Sequence, residues 1–306
     1  IMELLRKNQF DVWHFHDPEL LPLSVIWKSI FAPDTHLLYD VHEDIPKNIM
    51  DKLWIPSWLR WWVAQISERI EYWGAKRCSA VIAATEPIEK RLRRAIHQTV
   101  TVHNYPLAKI NVAPRKESIH NDNLRVVYVG GLTPSRGIQE IVLAMTHLVN
   151  EKCTLVLLGD FWPASFEQEI RNIAGNNVEI VNKIPFTQVA TFLSTCDIGI
   201  VCLHATPAYI ESLPIKLFEY MQSSLPVIAS DFPSWRHIIE DANCGLLVDP
   251  MDIQQIAAAI QILIKDQDKR IKMGQAGQKA VNEHYTWQTE ERLLLNVYQH
   301  LSATKV

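Results

Sequence analysis

Residues 209–230 read Tyr-Ile-Glu-Ser-Leu-Pro-Ile-Lys-Leu-Phe-Glu-Tyr-Met-Gln-Ser-Ser-Leu-Pro-Val-Ile-Ala-Ser. An apolar run from Ile198 to Leu203 precedes this stretch, and another from Pro226 to Ala229 closes it. Short apolar runs bounded by turn residues are the pattern of buried strands. Between them lie a polar loop and a short helix, with Pro214 placed where a helix begins and a missing N–H is harmless. The stretch is therefore a β-loop-α-β unit, the repeating element of a parallel sheet. Glu211 and Glu219 stand eight apart with Lys216 between them, so a loop carboxylate and a helix carboxylate both fall at the carboxyl edge of that sheet. Doubly wound sheets bind ligands at that edge. Spacing alone favours a plainer reading, with Glu211 a solvated loop acid and Glu219 paired to a nearby cation, because charged surface residues are the rule.

The whole string closely resembles the nucleotide-sugar site of retaining glycosyltransferases of family 4. Their E-x7-E pattern is matched by Glu211, seven residues and Glu219, and the segments from Lys216 to Met221 and from Leu225 to Ala229 fit a large subgroup. The resemblance implies that Glu211 holds hydroxyls of a donor sugar and Glu219 the ribose. A second matching segment is Leu124-Arg-Val-Val-Tyr-Val-Gly130-Gly131, followed by Leu132-Thr-Pro-Ser-Arg136-Gly137 and a helix to about Val149. Glycines let a backbone approach a ligand closely, and a helix start offers free N–H groups to an anion. A diphosphate suits such a turn. The family's usual Gly-Arg-Leu, three residues, Lys-Gly is altered at two places: Gly131 stands where the Arg is expected and Arg136 where the Lys is. Arg136, able to bind two phosphate oxygens at once, and Lys216 are expected to supply the positive charge together.

The chain has 306 residues and a formal net charge of -4. That length suffices for two α/β domains, and without a basic tract nothing points to nucleic acid. Five cysteines lack C-x-x-C spacing and read as buried free thiols, hence a cytoplasmic protein. No apolar run reaches the ~18 residues of a membrane-spanning helix. Asp266-Gln-Asp268 is an Asp-x-Asp, the metal motif of a different glycosyltransferase fold, but it falls in a charged turn between helices and reads as solvated surface.

The family resemblance implies an α/β fold of the GT-B class, two Rossmann-like domains facing a cleft, the first incomplete. A partial acceptor-side domain is expected at 1–106, a linker at 107–123, a nucleotide-sugar-binding domain at 124–285, and a terminal helix at 286–306 packing back on the first domain. Residues 1–9 read as the end of an amphipathic helix, an odd opening for such a domain, and an amino-terminally truncated reading frame is the expectation. His14 and His16 share one side of a strand end; no third ligand is spaced to join them as a metal site. The resemblance gives His16 a place facing the donor, where its imidazole could bond the sugar; a structural histidine is the alternative. Loops after the strand at 36–41 face acceptors in the family, which makes His42 and Glu43 candidate acceptor contacts, and Ile184 is carried over as a backbone contact to the base.

Residues 47–77 carry five tryptophans among lysines and arginines. Leu59, Trp62, Val63, Ile66, Ile70 and Trp73 repeat every three or four residues and are expected to bury against the sheet. Trp54, Trp58 and Trp61 lie outside that seam, and beside Lys52 and Arg60 they suit contact with the inner face of the cytoplasmic membrane. The expected activity is retaining, metal-independent transfer from a nucleoside-diphosphate sugar, UDP-linked by preference, to a lipid-linked or polysaccharide acceptor. No cofactor is expected. A nucleotide-sugar epimerase or hydrolase of the same architecture, or a non-catalytic nucleotide-sugar-binding fragment, is the alternative.

Overall fold

The computed structural model describes residues 10–52, 54–96, 98–107 and 123–303. The helix expected at 1–9 and nearly all of the expected linker lie outside those residues. The chain divides into two compact units, residues 1–104 with 287–306, and residues 105–286.

In the first unit, strands β1 (Val12–Phe15), β2 (His36–Val41), β3 (Ala80–Ala83) and β4 (Thr99–Thr101) form a parallel sheet in that order. Alternation sorts its side chains to two faces. Leu37, Tyr39, Val81 and Ala83 pack with Leu21, Val25, Ile88 and Leu92 from α1 (Leu20–Phe31) and α4 (Glu86–Leu92), whereas Leu38, Ala80 and Ile82 pack with Val297 and Leu301. The last two belong to α12 (Trp287–Ala303), the carboxy-terminal helix.

Two further helices, α2 (Ile45–Asp51) and α3 (Ser57–Ala75), connect β2 to β3. Here the structure corrects the expected seam. Trp62, Ile66, Ile70 and Trp73 are exposed, and the buried positions of α3 are Ala64, Glu71, Gly74 and Ala75. At about 100° per residue these four lie on the side of the helix opposite the apolar seam. Two things turn α3 this way. A Cβ on Gly74 would come within 2.4 Å of Leu21 Cγ, so small residues bring α3 close to α1. Glu71, buried, accepts from Arg91 Nη1 at 2.6 Å and from the Tyr39 hydroxyl at 3.2 Å. Leaving a carboxylate buried without its cation costs several kcal/mol, about 3–5, so this network holds the helix in its rotation.

The second unit holds β5 (Leu124–Val129), β6 (Cys153–Leu158), β7 (Val178–Val181), β8 (Ile198–Val201), β9 (Val227–Ser230) and β10 (Gly245–Val248), all parallel, in the order β10-β9-β8-β5-β6-β7. Helices α5 (Ile138–Thr146), α6 (Ala164–Ile173), α7 (Phe186–Leu193), α8 (Ile215–Gln222), α9 (Pro233–Ala242), α10 (Ile253–Lys265) and α11 (Gln267–His284) alternate with these strands. Two large apolar clusters flank the sheet. Sequence order runs outward from β5 through β6 to β7, then returns to β8 on its other side and runs outward again. The reversal makes the gap between the carboxyl ends of β5 and β8 the topological switch point, where such sheets take ligands. All five cysteines are free and buried, and Asp266 caps α11 by accepting from Lys269 N at 2.9 Å. Among the described residues no helix is long and apolar enough to cross a membrane.

Candidate functional site

Strand β5 delivers Gly130 and Gly131 to the switch point. Gly130 has φ +129°, a backbone conformation that side chains resist. From Pro134 to Arg136 the chain makes one 3-10 turn before Gly137, whose φ is +70°. A Cβ on Gly137 would sit 1.9 Å from the carbonyl oxygen of Cys202. Only glycine lets this loop press against the end of β8, and that closeness sends the Arg136 side chain back over the Gly130-Gly131 pair. Arg136 Nη1 donates to the Gly131 carbonyl at 3.4 Å.

Lys216 reaches the same pair from the first turn of α8. Its Nζ donates to the Tyr128 hydroxyl at 2.7 Å and lies 4.0 Å from the centre of that ring. Tyr128 in turn donates to the Gly131 carbonyl at 3.2 Å. A Cβ on Gly130 would lie 2.9 Å from Lys216 Nζ and 3.5 Å from Arg136 Nη1. Two cations therefore converge on two glycines, and the groups bonded to them are hydroxyls and a carbonyl, all neutral. Burial, and then the charge of Arg136, pull Lys216 well below its ordinary range, with Glu219 opposing. Glu219 stands one turn along α8 from Lys216 and is half-buried. Glu211 lies half-buried in the turn between β8 and α8. That turn is clamped by α9, where buried Trp235 donates Nε1–H to the Ser212 carbonyl at 2.6 Å and the Ser234 hydroxyl donates to Ile210 at 3.3 Å. Ile184 lies in the loop after β7, packed against the apolar cluster on the α8 side of the sheet.

In the first unit the parallel register aligns the ends of β1 and β2, and four side chains gather there. Asp40 Oδ2 lies 3.3 Å from His14 Nε2, 3.2 Å from His16 Nδ1 and 3.5 Å from His42 Nε2. His16 Nδ1 and His42 Nε2 are 2.9 Å apart. The far nitrogen of His14 lies 2.6 Å from the Tyr298 hydroxyl, and that of His42 lies 3.0 Å from Asn104 Nδ2. Burial alone would raise the Asp40 carboxyl, but hydrogen bonds from His14 and His42 outweigh it and hold the group well below the usual carboxylate range. The hydrogen bond to Asp40 in turn raises His42, against the effect of burial. The sequence reading found no third ligand-type group beside His14 and His16. Asp40 is one, its oxygen within 4.8 Å of both imidazoles, brought there by strand pairing rather than by spacing. Glu43 accepts from Asn48 Nδ2 at 2.6 Å at the start of α2.

Sequence reasoning thus reached Gly130, Gly131, Arg136 and Lys216, which the fold brings together, and missed Tyr128 and Asp40. Tyr128 sits inside an alternating apolar strand and reads as core. Asp40, near the end of the 36–41 strand, has no spacing that links it to His14 and His16.

Comparison with known proteins bears on both units. The family described as Glycosyl transferases group 1 matches residues 110–280, more than half of the chain, and the family described as Glycosyltransferase Family 4 matches residues 1–104. A phosphatidyl-myo-inositol mannosyltransferase of Mycobacterium leprae is 24% identical over 307 residues, covering 98% of this chain and 76% of that protein. Among solved structures, the sucrose-phosphate synthase of Thermosynechococcus elongatus superposes with a TM-score of 0.79 at 21% identity, over 97% of this chain and 75% of the other. Anabaena HepE in complex with UDP-glucose gives 0.76 at 17% identity, over 99% and 81%. At such identities the structural likeness establishes the fold, which is that of the GT-B glycosyltransferases.

Proposed function

This chain belongs to the glycosyl transferases group 1 family, and from that premise we propose that it moves a sugar from a UDP-linked donor to a lipid-linked or polysaccharide acceptor with retained anomeric configuration. The observation that carries the reading is the pair of cations on Gly130 and Gly131. Arg136 donates to the Gly131 carbonyl and Lys216 to the Tyr128 hydroxyl, both neutral groups, so two cations converge there, with Glu219 countering on the lysine side, and a diphosphate suits them. The bond from the anomeric carbon to the diphosphate breaks, and a bond to the acceptor hydroxyl forms on the same face. The acceptor's proton leaves to a phosphate oxygen. Fixed cations stabilise the charge that develops on the leaving group, as prearranged electrostatics do elsewhere, so this reading needs no metal. Glu211 takes the sugar hydroxyls, Glu219 the ribose and the Ile184 backbone the base. His16, oriented by Asp40, takes the sugar or the developing charge, and His42 and Glu43 take the acceptor.

The lipid part of the acceptor proposal draws on the mycobacterial relative, a phosphatidyl-myo-inositol mannosyltransferase by name; the UDP part draws on the HepE complex with UDP-glucose. Calorimetric titration with UDP and GDP tests the pocket and the base together. Tight binding of UDP alone supports the proposal. Turnover without any acceptor, giving free sugar or an epimerised donor, sinks the transferase assignment, and turnover abolished by a chelator sinks the metal-free one.

A further inference from the structure

The outward face of α3 is apolar where a surface helix is ordinarily polar. Ile66, Ile70 and Trp73, with Arg69, line a concave groove of about 430 Å³ whose other wall is Pro22 of α1. Ile26 and Ile30 follow Pro22 at intervals of four on α1, so they continue that wall along one helix face, and both are exposed. At the amino-terminal end of α3 the surface is extended by Trp54, 78% exposed, and Trp58, 72% exposed. Monomeric soluble proteins rarely leave a contiguous apolar surface of this kind uncovered.

The charges around it select the occupant. Across α1 and residues 52–77, Lys52, Arg69, Lys76 and Arg77 are exposed and Lys28 and Arg60 half-buried, against two accessible acids, exposed Glu19 at the start of α1 and half-buried Glu68, while the chain as a whole carries -4. The Arg77 guanidinium lies 4.4 Å from the centre of the Trp73 ring, a cation resting on an exposed aromatic. Apolar and aromatic side chains interleaved with cations, on helices lying side by side, match an interface of acyl chains below and anionic headgroups above. We propose that α1 and α3 together form a docking face for an anionic lipid bilayer, with the Ile26, Ile66 and Ile70 surface entering the acyl boundary and Lys52, Arg69 and Arg77 meeting headgroup phosphates. The surface is wider than Trp54, Trp58 and Trp61, because it includes the seam that folding leaves outside. It lies within the first unit and does not depend on the donor chemistry proposed above.

The test is flotation of the full chain with vesicles of equal parts phosphatidylglycerol and phosphatidylcholine, and with phosphatidylcholine alone. The chain should float with the anionic vesicles and release as salt is raised, because the attraction is screened within a Debye length. Arg69→Glu should weaken partitioning about fivefold or more, and Ile66→Ser with Ile70→Ser more than tenfold. All three residues are exposed, so the variants fold. Phe186→Ser, an exposed apolar residue of the second unit, should change nothing. Failure to float, or flotation equal in all variants, overturns the proposal. So does light scattering that finds a dimer which Ile66→Ser with Ile70→Ser dissociates while vesicles stay unbound, since the occupant is then a second copy. Donor binding in solution is read separately, so either conclusion can fall without the other.

Discussion

Replacing Lys216 by methionine should have effects of opposite sign on stability and on donor binding. Lys216 Nζ and Arg136 Nη1 lie 2.9 and 3.5 Å from one point above Gly130, so they are at most 6.4 Å apart, the sum of those two distances. At an effective dielectric constant near 20, two like charges at that separation repel by about 2.5 kcal/mol. Methionine keeps the length of the side chain and removes the charge. Lost with it are the charge-assisted hydrogen bond to Tyr128, worth about 1.5–3 kcal/mol, and the contact over its ring, worth about 0.5–2 kcal/mol; removed with it is the cost of burying an ammonium, about 3 kcal/mol, the largest influence on this lysine. The unliganded protein should therefore gain about 1–2 kcal/mol, at about 2–4 °C in Tm per kcal/mol for a unit of this size. The gain should be larger in acid. Lys216 has a folded-state pKa below its unfolded value, so between the two the unfolded chain binds more protons and wild-type stability rises with pH; the variant's advantage shrinks as the wild-type lysine loses its proton. Binding should go the other way. Removing one charge-assisted bond to a diphosphate costs about 1.5–3 kcal/mol, so Kd for UDP should weaken about tenfold to a hundredfold. Calorimetry in buffers of different ionisation enthalpy should also show wild type taking up protons on binding UDP, and Lys216→Met taking up fewer. A variant that melts earlier than wild type, or that binds UDP unchanged while Arg136→Met abolishes binding, would show that the two cations do not share one anion.

Asp40→Asn removes the carboxylate around which His14, His16 and His42 gather. Steady-state kinetics should show kcat down about a hundredfold with donor KM little changed. Because the folded Asp40 pKa is depressed, its contribution to stability is present above the unfolded value of 3.8 and lost as pH falls through the lower folded one; Tm against pH should be flatter on the acid side in the variant. His103, bonded to Glu290 of α12 and to Glu86 of α4, is lowered by burial but raised more by those two carboxylates, from 6.5 to about 9. Its contribution, at most about 3 kcal/mol, is complete below about pH 6.5 and should fade as pH approaches 9; Glu290→Gln should remove most of that dependence in thermal melts. Gly137→Ala must place a Cβ 1.9 Å from the Cys202 carbonyl at φ +70°. A loss of about 2–4 kcal/mol in urea unfolding is expected, and a loss under 1 kcal/mol would mean that the loop does not rest on β8.

Periodicity could find what repeats within a segment. The strand pattern at 36–41 is the observed β2 to the residue, because alternation and apolar runs are local properties. Rotation of a helix about its axis is not local. For α3 the sequence offers two candidate inward faces, a large apolar one and a small one containing Glu71, and the larger is the natural choice on burial alone. What decides is Arg91, twenty residues on, which requires Glu71 to turn inward, and Leu21, on another helix, which requires Gly74 to face it. The same limit accounts for Asp40. Two histidines at positions 14 and 16 are visible as a pair, but their carboxylate arrives through the register that sets His14 opposite Leu38 and Phe15 opposite Tyr39, placing Asp40 one step beyond. In the second unit the glycine turn, Arg136 and Lys216 were legible because the family resemblance rests on residue types at fixed offsets. Tyr128, which joins Lys216 to the glycine turn through its hydroxyl, carries no such signature. A buried tyrosine in a strand is recognisable as part of a site only once its hydroxyl has a partner, and that partner lies 88 residues away in the chain.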